Sequence, residues 1–339
     1  MKFLKYIIFL LLIAFIGLAI YIAVQPNSFE VKRTRTFEAP AQVIYNNVID
    51  FKNWEAWSSW VERDPETVVT LSEQTKSVGG SFSWVDTDGK GSMKTVATVE
   101  NESIDQELQF GDFEPSKVNW SFNETADGKT EVIWKMNSEN VPFMFKAYAI
   151  FSGGFDNMIG PDFERGLEKL DSIIVKSMKV YSIKVDGITQ HGGGFYLYNT
   201  TSAKMDSFES VIKDKLLEVN NYVQKNNITT AGSPFVYYHK WDEVNNTVMF
   251  SSCIPTTAQV ITSDNNILTG QLEPFKAIKT TLKGNCSYLK EAWEATVQYA
   301  PKNKLEFTEL GPMLEVYVTD QSQTANPANL ITEIYIAIK

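Results

Sequence analysis

Glu315 and Tyr317 stand two residues apart in the run Met313 to Thr319, and Glu333 and Tyr335 repeat that spacing between Ile331 and Ile338. Side chains on a strand alternate with period two, so each acid shares a face with its tyrosine. Leu314, Val316 and Val318 occupy the opposite face of the first run, and Ile334, Ile336 and Ile338 that of the second. The aliphatic faces are expected to pack against helices, which turns the acids and phenols toward a groove. A carboxylate bordered by rings suits a cationic or flat aromatic molecule through charge pairing and ring contact. Tyr237, His239 and Trp241 alternate on an upstream run and are expected to add to the same wall. Burial would also raise a carboxylic pKa, so Glu315 with Tyr317 could instead act as a general acid–base pair in hydrolysis. An exposed strand carboxylate without a ligand is the plain alternative for either acid.

Other chemistry lacks its parts. The chain has no Gly-x-Ser-x-Gly elbow, phosphate-cradling Gly-x4-Gly-Lys-Ser/Thr loop, His-Glu-x-x-His pair or paired-cysteine motif. His191 and His239 offer no metal spacing, and Asp86-Thr87-Asp88-Gly89 lacks the later acids of a calcium loop, so no metal and no cofactor are expected. Cys253 and Cys286 could form one disulfide, but free buried thiols are the commoner state for so few in so long a chain. The net charge of -10 leaves no basic surplus for counterion release, so nucleic acid is not an expected partner.

The acids must be positioned by a repeated set of elements. Val180 to Ile188 reads as a strand, Ser207 to Lys225 as an amphipathic helix, and Phe235 to Trp241 with Thr247 to Ile254 as a hairpin. The series recurs as strand Phe275 to Leu282, helix Tyr288 to Tyr299, and strands Met313 to Thr319 and Ile331 to Ile338. An internal strand–helix–strand–strand duplication is expected over 179–339, and ligand grooves form along such junctions.

Upstream, over 28–176, strand Phe29 to Phe37 is broken at Glu38-Ala39-Pro40-Ala41, where a helix opens. A meander follows, punctuated by Gly79-Gly80, Asp88-Gly89-Lys90-Gly91 and Asp127-Gly128. The last piece, Phe143 to Val175, has helical spacing in Phe155, Ile159, Phe163, Leu167, Leu170 and Ile174 and predicts a long closing helix, although Gly153-Gly154 and Gly160-Pro161 interrupt its first half. Trp54, Trp57 and Trp60 would stack along one helical face, where Trp54 and Trp57 could line a cavity mouth; a tryptophan-rich core is the plainer reading.

The first 27 residues hold the uncharged stretch Tyr6 to Val24, which as a helix spans roughly 28 Å, close to the bilayer's hydrocarbon thickness. A retained single-pass anchor in the lipid bilayer over residues 6–24 is expected. A cleaved signal peptide would have a shorter apolar core and a small-residue cleavage site. Lys2 and Lys5 before the stretch and Lys32, Arg33 and Arg35 after it leave orientation to the short N-terminal tail. An extracytoplasmic position for the remainder is the expectation.

Two resemblances follow from these residues. Ala39-Pro40-Ala41 with Val43-Ile44-Tyr45, Asp50-Phe51 with Asn53-Trp54 and Trp57, Trp120-Ser121-Phe122, Thr130 to Trp134 and Asp162-Phe163-Glu164 together resemble the START-like (SRPBCC, polyketide cyclase/dehydrase) superfamily. That resemblance implies a helix-grip fold, a curved sheet around a long helix with an apolar cavity between them. Gly232-Ser233-Pro234-Phe235, Tyr238-His239, Trp241-Asp242, Ile254-Pro255, Gly284, Tyr288, Ala292-Trp293, Glu315-Val316-Tyr317 and Thr332 to Ile336 look like the GyrI-like effector-binding family. This second resemblance implies a drug-sensing or stand-alone binding domain, some relatives being hydrolases, with Glu315 as groove acid and Tyr317 and Trp293 as its companions. No helix-turn-helix accompanies it, and Ala337 stands where many members have proline. The expected fold is α+β throughout: a helix-grip domain, then a duplicated strand-helix-strand-strand domain, after one transmembrane helix. The expected function is binding of a small hydrophobic or cationic aromatic molecule without DNA binding. The alternatives are a hydrolase in the second domain and a protein-interaction module with filled pockets.

Overall fold

The computed structural model describes residues 2–320 and 322–339, a mixed α+β chain with two antiparallel sheets. It divides into two compact units, 1–176 and 177–339.

In the first unit, helix α1 (Lys2–Ala23) has a mean hydropathy of 2.8 over Phe3–Ala23 and is long and apolar enough to cross a membrane. Strand β1 (Phe29–Phe37) leads to α2 (Ala41–Val48), a 3-10 turn (Phe51–Ala56) and the short α3 (Ser59–Arg63). Strands β2 (Val68–Leu71), β3 (Ser81–Asp86), β4 (Gly89–Val99), β5 (Ser103–Phe110), β6 (Ser116–Glu124) and β7 (Thr130–Ser138) form the meander, and β1 closes it against β7 in the order β1-β7-β6-β5-β4-β3-β2. Asp86 and Gly89 pair across the Thr87-Asp88 turn, so this segment is a hairpin turn.

Helices α4 (Phe143–Phe151) and α5 (Phe155–Met178) follow, split where Gly153 and Gly154 take φ values of 84° and 110° that favour glycine. Pro161 does not end α5, which continues through it. The inward positions of β6 and β7, including Trp120, Phe122, Val132 and Trp134, alternate with outward ones and are buried, as are Phe163, Leu167, Leu170 and Ile174 of α5. Trp134 lies parallel to Phe163 with 4.0 Å between ring centroids. Gly166 permits this approach, since a Cβ there would sit 2.9 Å from Trp134 Cζ3. Gly166→Ala is therefore expected to destabilise the unit by about 1–3 kcal/mol through overpacking, despite alanine's better helix propensity. Thermal denaturation of the two proteins checks this; an unchanged or raised Tm contradicts it.

In the second unit, β8 (Ser182–His191), β9 (Gly194–Lys204), β10 (Phe235–Asp242), β11 (Thr247–Thr256), β12 (Leu268–Leu272), β13 (Phe275–Lys283), β14 (Met313–Tyr317) and β15 (Ile331–Ala337) make one sheet, in the order β12-β9-β11-β10-β14-β15-β13-β8, with helix α6 (Phe208–Lys225) between β9 and β10 in the chain and α7 (Leu289–Lys302) between β13 and β14. The duplication is present as β9-α6-β10-β11 and β13-α7-β14-β15. Its first repeat opens with β9, a strand the sequence reading left unassigned. The strand predicted in that place, β8, instead flanks β13 at the sheet edge. The halves meet where β10 pairs with β14.

Candidate functional site

The junction strands set the position of Glu315. Glu315 pairs with Val236 of β10 on one side and Ile334 of β15 on the other, so all three share a face. That face packs on both helices: Val236, Tyr238 and Phe250 gather with Ile212 and Phe208, and with Trp293, Met313 and Tyr317. The partition read from strand phase is present, but the sides of β14 are reversed from the expectation. Leu314 and Val316 turn to the face without helices, where they join Phe235, Tyr237 and Tyr335. Strand period separates two faces without saying which one a helix covers. In β15, Ile334 and Ile336 do face α7, as expected.

Glu315 is 3% exposed. Tyr317 Oη donates to its Oε1 at 2.6 Å, while Trp293 Nε1 and Tyr238 Oη donate to Oε2 at 3.1 and 3.2 Å. Burial pushes the Glu315 carboxyl above its ordinary range, the three donors only partly opposing this. Burial together with the neighbouring acid also holds the phenols of Tyr238 and Tyr317 well above theirs. Among the described residues Glu315 has no ion-pair partner. Tyr238 stands edge-on to Trp293 at 5.5 Å, and Trp241 stacks on Tyr238 at 5.4 Å, so aromatic rings run from Trp241, 43% exposed, down to the acid. An acid held by neutral donors and bordered by electron-rich ring faces can accept a proton or a soft organic cation.

Four expected members of this wall, Tyr237, His239, Glu333 and Tyr335, lie elsewhere. Tyr237 is on the opposite face, its ring 4.5 Å from His239. The register slips between Tyr238 and Lys240, and this bulge returns Trp241 to the face of Glu315 although it is four residues from Tyr237. Glu333 is also on the opposite face; Lys279 Nζ pairs with it at 2.7 Å and Tyr335 Oη donates to it at 2.6 Å. Its charge is already matched. Tyr238 was missed as a ligand of Glu315, because the alternation that favoured Tyr237 assigned its neighbour to the other side. No disulfide joins Cys253 and Cys286.

The first unit holds a separate cavity of about 440 Å3. Its wall is apolar where Phe51, Trp54, Phe82, Trp84, Met93, Leu108, Phe110, Met136, Phe145, Met158 and Ile159 line it. Glu55, Asp86, Asp88 and Asp162 with Arg63 add charge, and Arg63 donates to Asp162 at 2.6 Å. Burial raises Asp162 above its ordinary range despite that partner. Of the two tryptophans expected at the cavity, Trp54 lines it and Trp57 does not. Trp57 is fully buried, packed 4.6 Å from Trp54 and edge-on to Trp120 and Trp134. The chain is not one continuous helix here, since the 3-10 turn ends at Ala56 and α3 starts at Ser59, so the three rings do not share a helical stripe. Trp60 lines the cavity as well.

A family model described as polyketide cyclase/dehydrase and lipid transport matches residues 37–167, and every residue lining the cavity falls in that stretch. Solved structures similar to the chain include the EcmrR C-terminal domain, with 15% identity over 47% of this chain and 98% of that one at a TM-score of 0.39. Protein Ms6760 from Mycobacterium smegmatis has 18% identity over 43% of this chain and 91% of that one, with a TM-score of 0.32. SA2116 from Staphylococcus aureus, a protein of unknown function, has 15% identity over 45% and 98%, with a TM-score of 0.35. Likeness this low carries no ligand or activity across. No curated protein matches the chain.

Proposed function

We propose that this chain is a single-pass, membrane-anchored small-molecule-binding protein acting in sequestration or sensing, without DNA binding. The segment 1–27 is its anchor, 28–176 a START-like domain for a small hydrophobic molecule, and 179–339 a GyrI-like effector-binding domain for a cationic aromatic one. Both domains stand on the extracytoplasmic side. The observation that carries this reading is the apolar cavity of about 440 Å3 within the stretch the family model matches. That volume falls in the range of about 300–1,000 Å3 found for small-molecule sites, and apolar cavities hold water poorly while accepting apolar guests. The second binding centre is supported by Glu315, with Tyr317, Trp293, Tyr238 and Trp241 around it.

Hydrolysis in the second domain is the competing reading, and one observation favours it. Glu315 is desolvated and 2.6 Å from a phenol, the geometry of an acid–base pair. Turnover separates the two. Incubation of the full chain with cationic aromatic probes and reactive small electrophiles is expected to return each molecule unchanged. A product whose formation is lost in Glu315→Gln would replace binding by catalysis.

A further inference from the structure

Helix α4 carries an apolar face that none of the described residues covers, and its attachment to α1 says what does. Phe143, Met144, Tyr148 and Phe151 are 45%, 59%, 67% and 74% exposed, whereas Lys146 and Ala149 on the other side are buried. Positions 143, 144, 147, 148 and 151 form one helical stripe, and no charged residue falls on it. Lys146, the only charge in the helix, is turned away and bound. Its Nζ donates to the carbonyls of Ala23 at 3.3 Å and Gln25 at 2.8 Å, and to the Asn27 side chain. The Val141 amide donates to the Asn27 carbonyl at 2.8 Å. An ammonium placed on the final carbonyls of a helix satisfies acceptors that have no partner within it and complements the helix dipole. α4 is thus fastened to the C-terminal end of α1. Ile22, in the last turn of α1, is 4% exposed, although the membrane-candidate span as a whole is only 6% buried. The bare stripe of α4 therefore lies at the depth where a helix crossing the bilayer reaches the headgroups.

We propose that α4 is an interfacial helix, bedded through Phe143, Met144, Tyr148 and Phe151 in the headgroup layer of the bilayer that α1 crosses. This inference rests on the membrane-anchor reading. A protein partner would have to share that layer with the lipid around the bare sides of α1, whereas lipid covers both surfaces continuously. Interfacial helices sink about 5–10 Å into the headgroup and acyl boundary, and aromatic rings suit that depth. Phe145 and Tyr148 of the same helix line the cavity. One wall of the cavity then rests on the membrane, and its occupant is an amphipathic molecule drawn from the bilayer.

The test places one nitroxide at a time on the full chain in phosphatidylcholine/phosphatidylglycerol vesicles, with Cys253 and Cys286 replaced by serine. The labelled variants are Met144→Cys on α4, Phe9→Cys in α1 and Ala126→Cys in the exposed β6–β7 turn; all three native side chains are exposed, so a label displaces no packing. Collision rates with oxygen, enriched in lipid, and with a water-soluble nickel chelate report depth. The expected result is chelate exclusion at position 9, free chelate access at 126, and at 144 a several-fold lower chelate rate than at 126 with raised oxygen access. Chelate access at 144 equal to that at 126, with position 9 still excluded, overturns the docking and leaves the anchor standing. Exclusion of both reagents at 144 signals a protein on that face, a second copy included, and also overturns it. Chelate access at position 9 defeats the anchor reading and the docking with it.

Discussion

Glu315→Gln is expected to weaken binding of a cationic aromatic dye to the full chain by about 2 kcal/mol or more, roughly thirty-fold. The variant keeps the size of the side chain and the surrounding rings, so the loss isolates the charge. Binding in the wild type is also expected to fall with pH. The folded carboxyl titrates above its ordinary range because it is buried, so acid neutralises it and removes the partner of the cation. Stability carries the opposite signature. Below the ordinary carboxylate value Glu315 is protonated whether the chain is folded or not, and the advantage of burying it neutral is fully present. As pH rises through the higher folded value that advantage is lost. The difference in denaturant stability between wild type and Glu315→Gln should therefore shift toward the variant as pH rises across that window. Fluorescence titration and denaturation at matched pH values check both effects. Equal dye affinity in the two proteins removes Glu315 from binding.

Filling the first cavity should have the other large effect. Met93→Trp combined with Leu108→Trp directs two indoles into space that the lining residues leave open. Uptake of an apolar fluorescent probe at this site is expected to be abolished, while dye binding at Glu315 is retained. Stability should hold or rise, because the rings enter unfilled volume; overpacking a closed core instead costs about 1–3 kcal/mol. A loss of stability on that scale, together with unchanged probe uptake, would mean that the rings collide with packed side chains and that the probe binds elsewhere.

Much of the scaffold was legible because it depends on local periodicity. The helical spacing from Phe155 to Ile174 locates α5, and Gly153-Gly154 locate the break before it. The pairing of Glu315 with Tyr317 follows from a strand period of two. Three features were not legible, each because it depends on contacts between distant segments. The side of β14 that meets the helices is set by how the two repeats join, which leaves Leu314 and Val316 on the face expected to hold the groove. A bulge at His239 changes the phase of β10, separating Trp241 from Tyr237 and returning it to the face that Tyr238 shares with the acid. Apart from Trp54 of the 3-10 turn, which the sequence placed at a cavity mouth, the cavity wall combines side chains from β2 to β5, β7, α3, α4 and α5 that are far apart in sequence. Trp57 shows the converse difficulty, since spacing of three suggests a stripe only if the backbone is one helix, and here it turns between Ala56 and Ser59.

Native mass spectrometry of the full chain, released from detergent micelles after purification and again after addition of amphipathic and cationic probes, tests small-molecule binding most directly. One amphipathic molecule per chain is expected to survive release, and its mass shift should vanish in the Met93→Trp, Leu108→Trp variant. A wild-type chain that remains empty with every probe, or whose mass shift is the same in the filled variant, would contradict a ligand-holding cavity in the first unit.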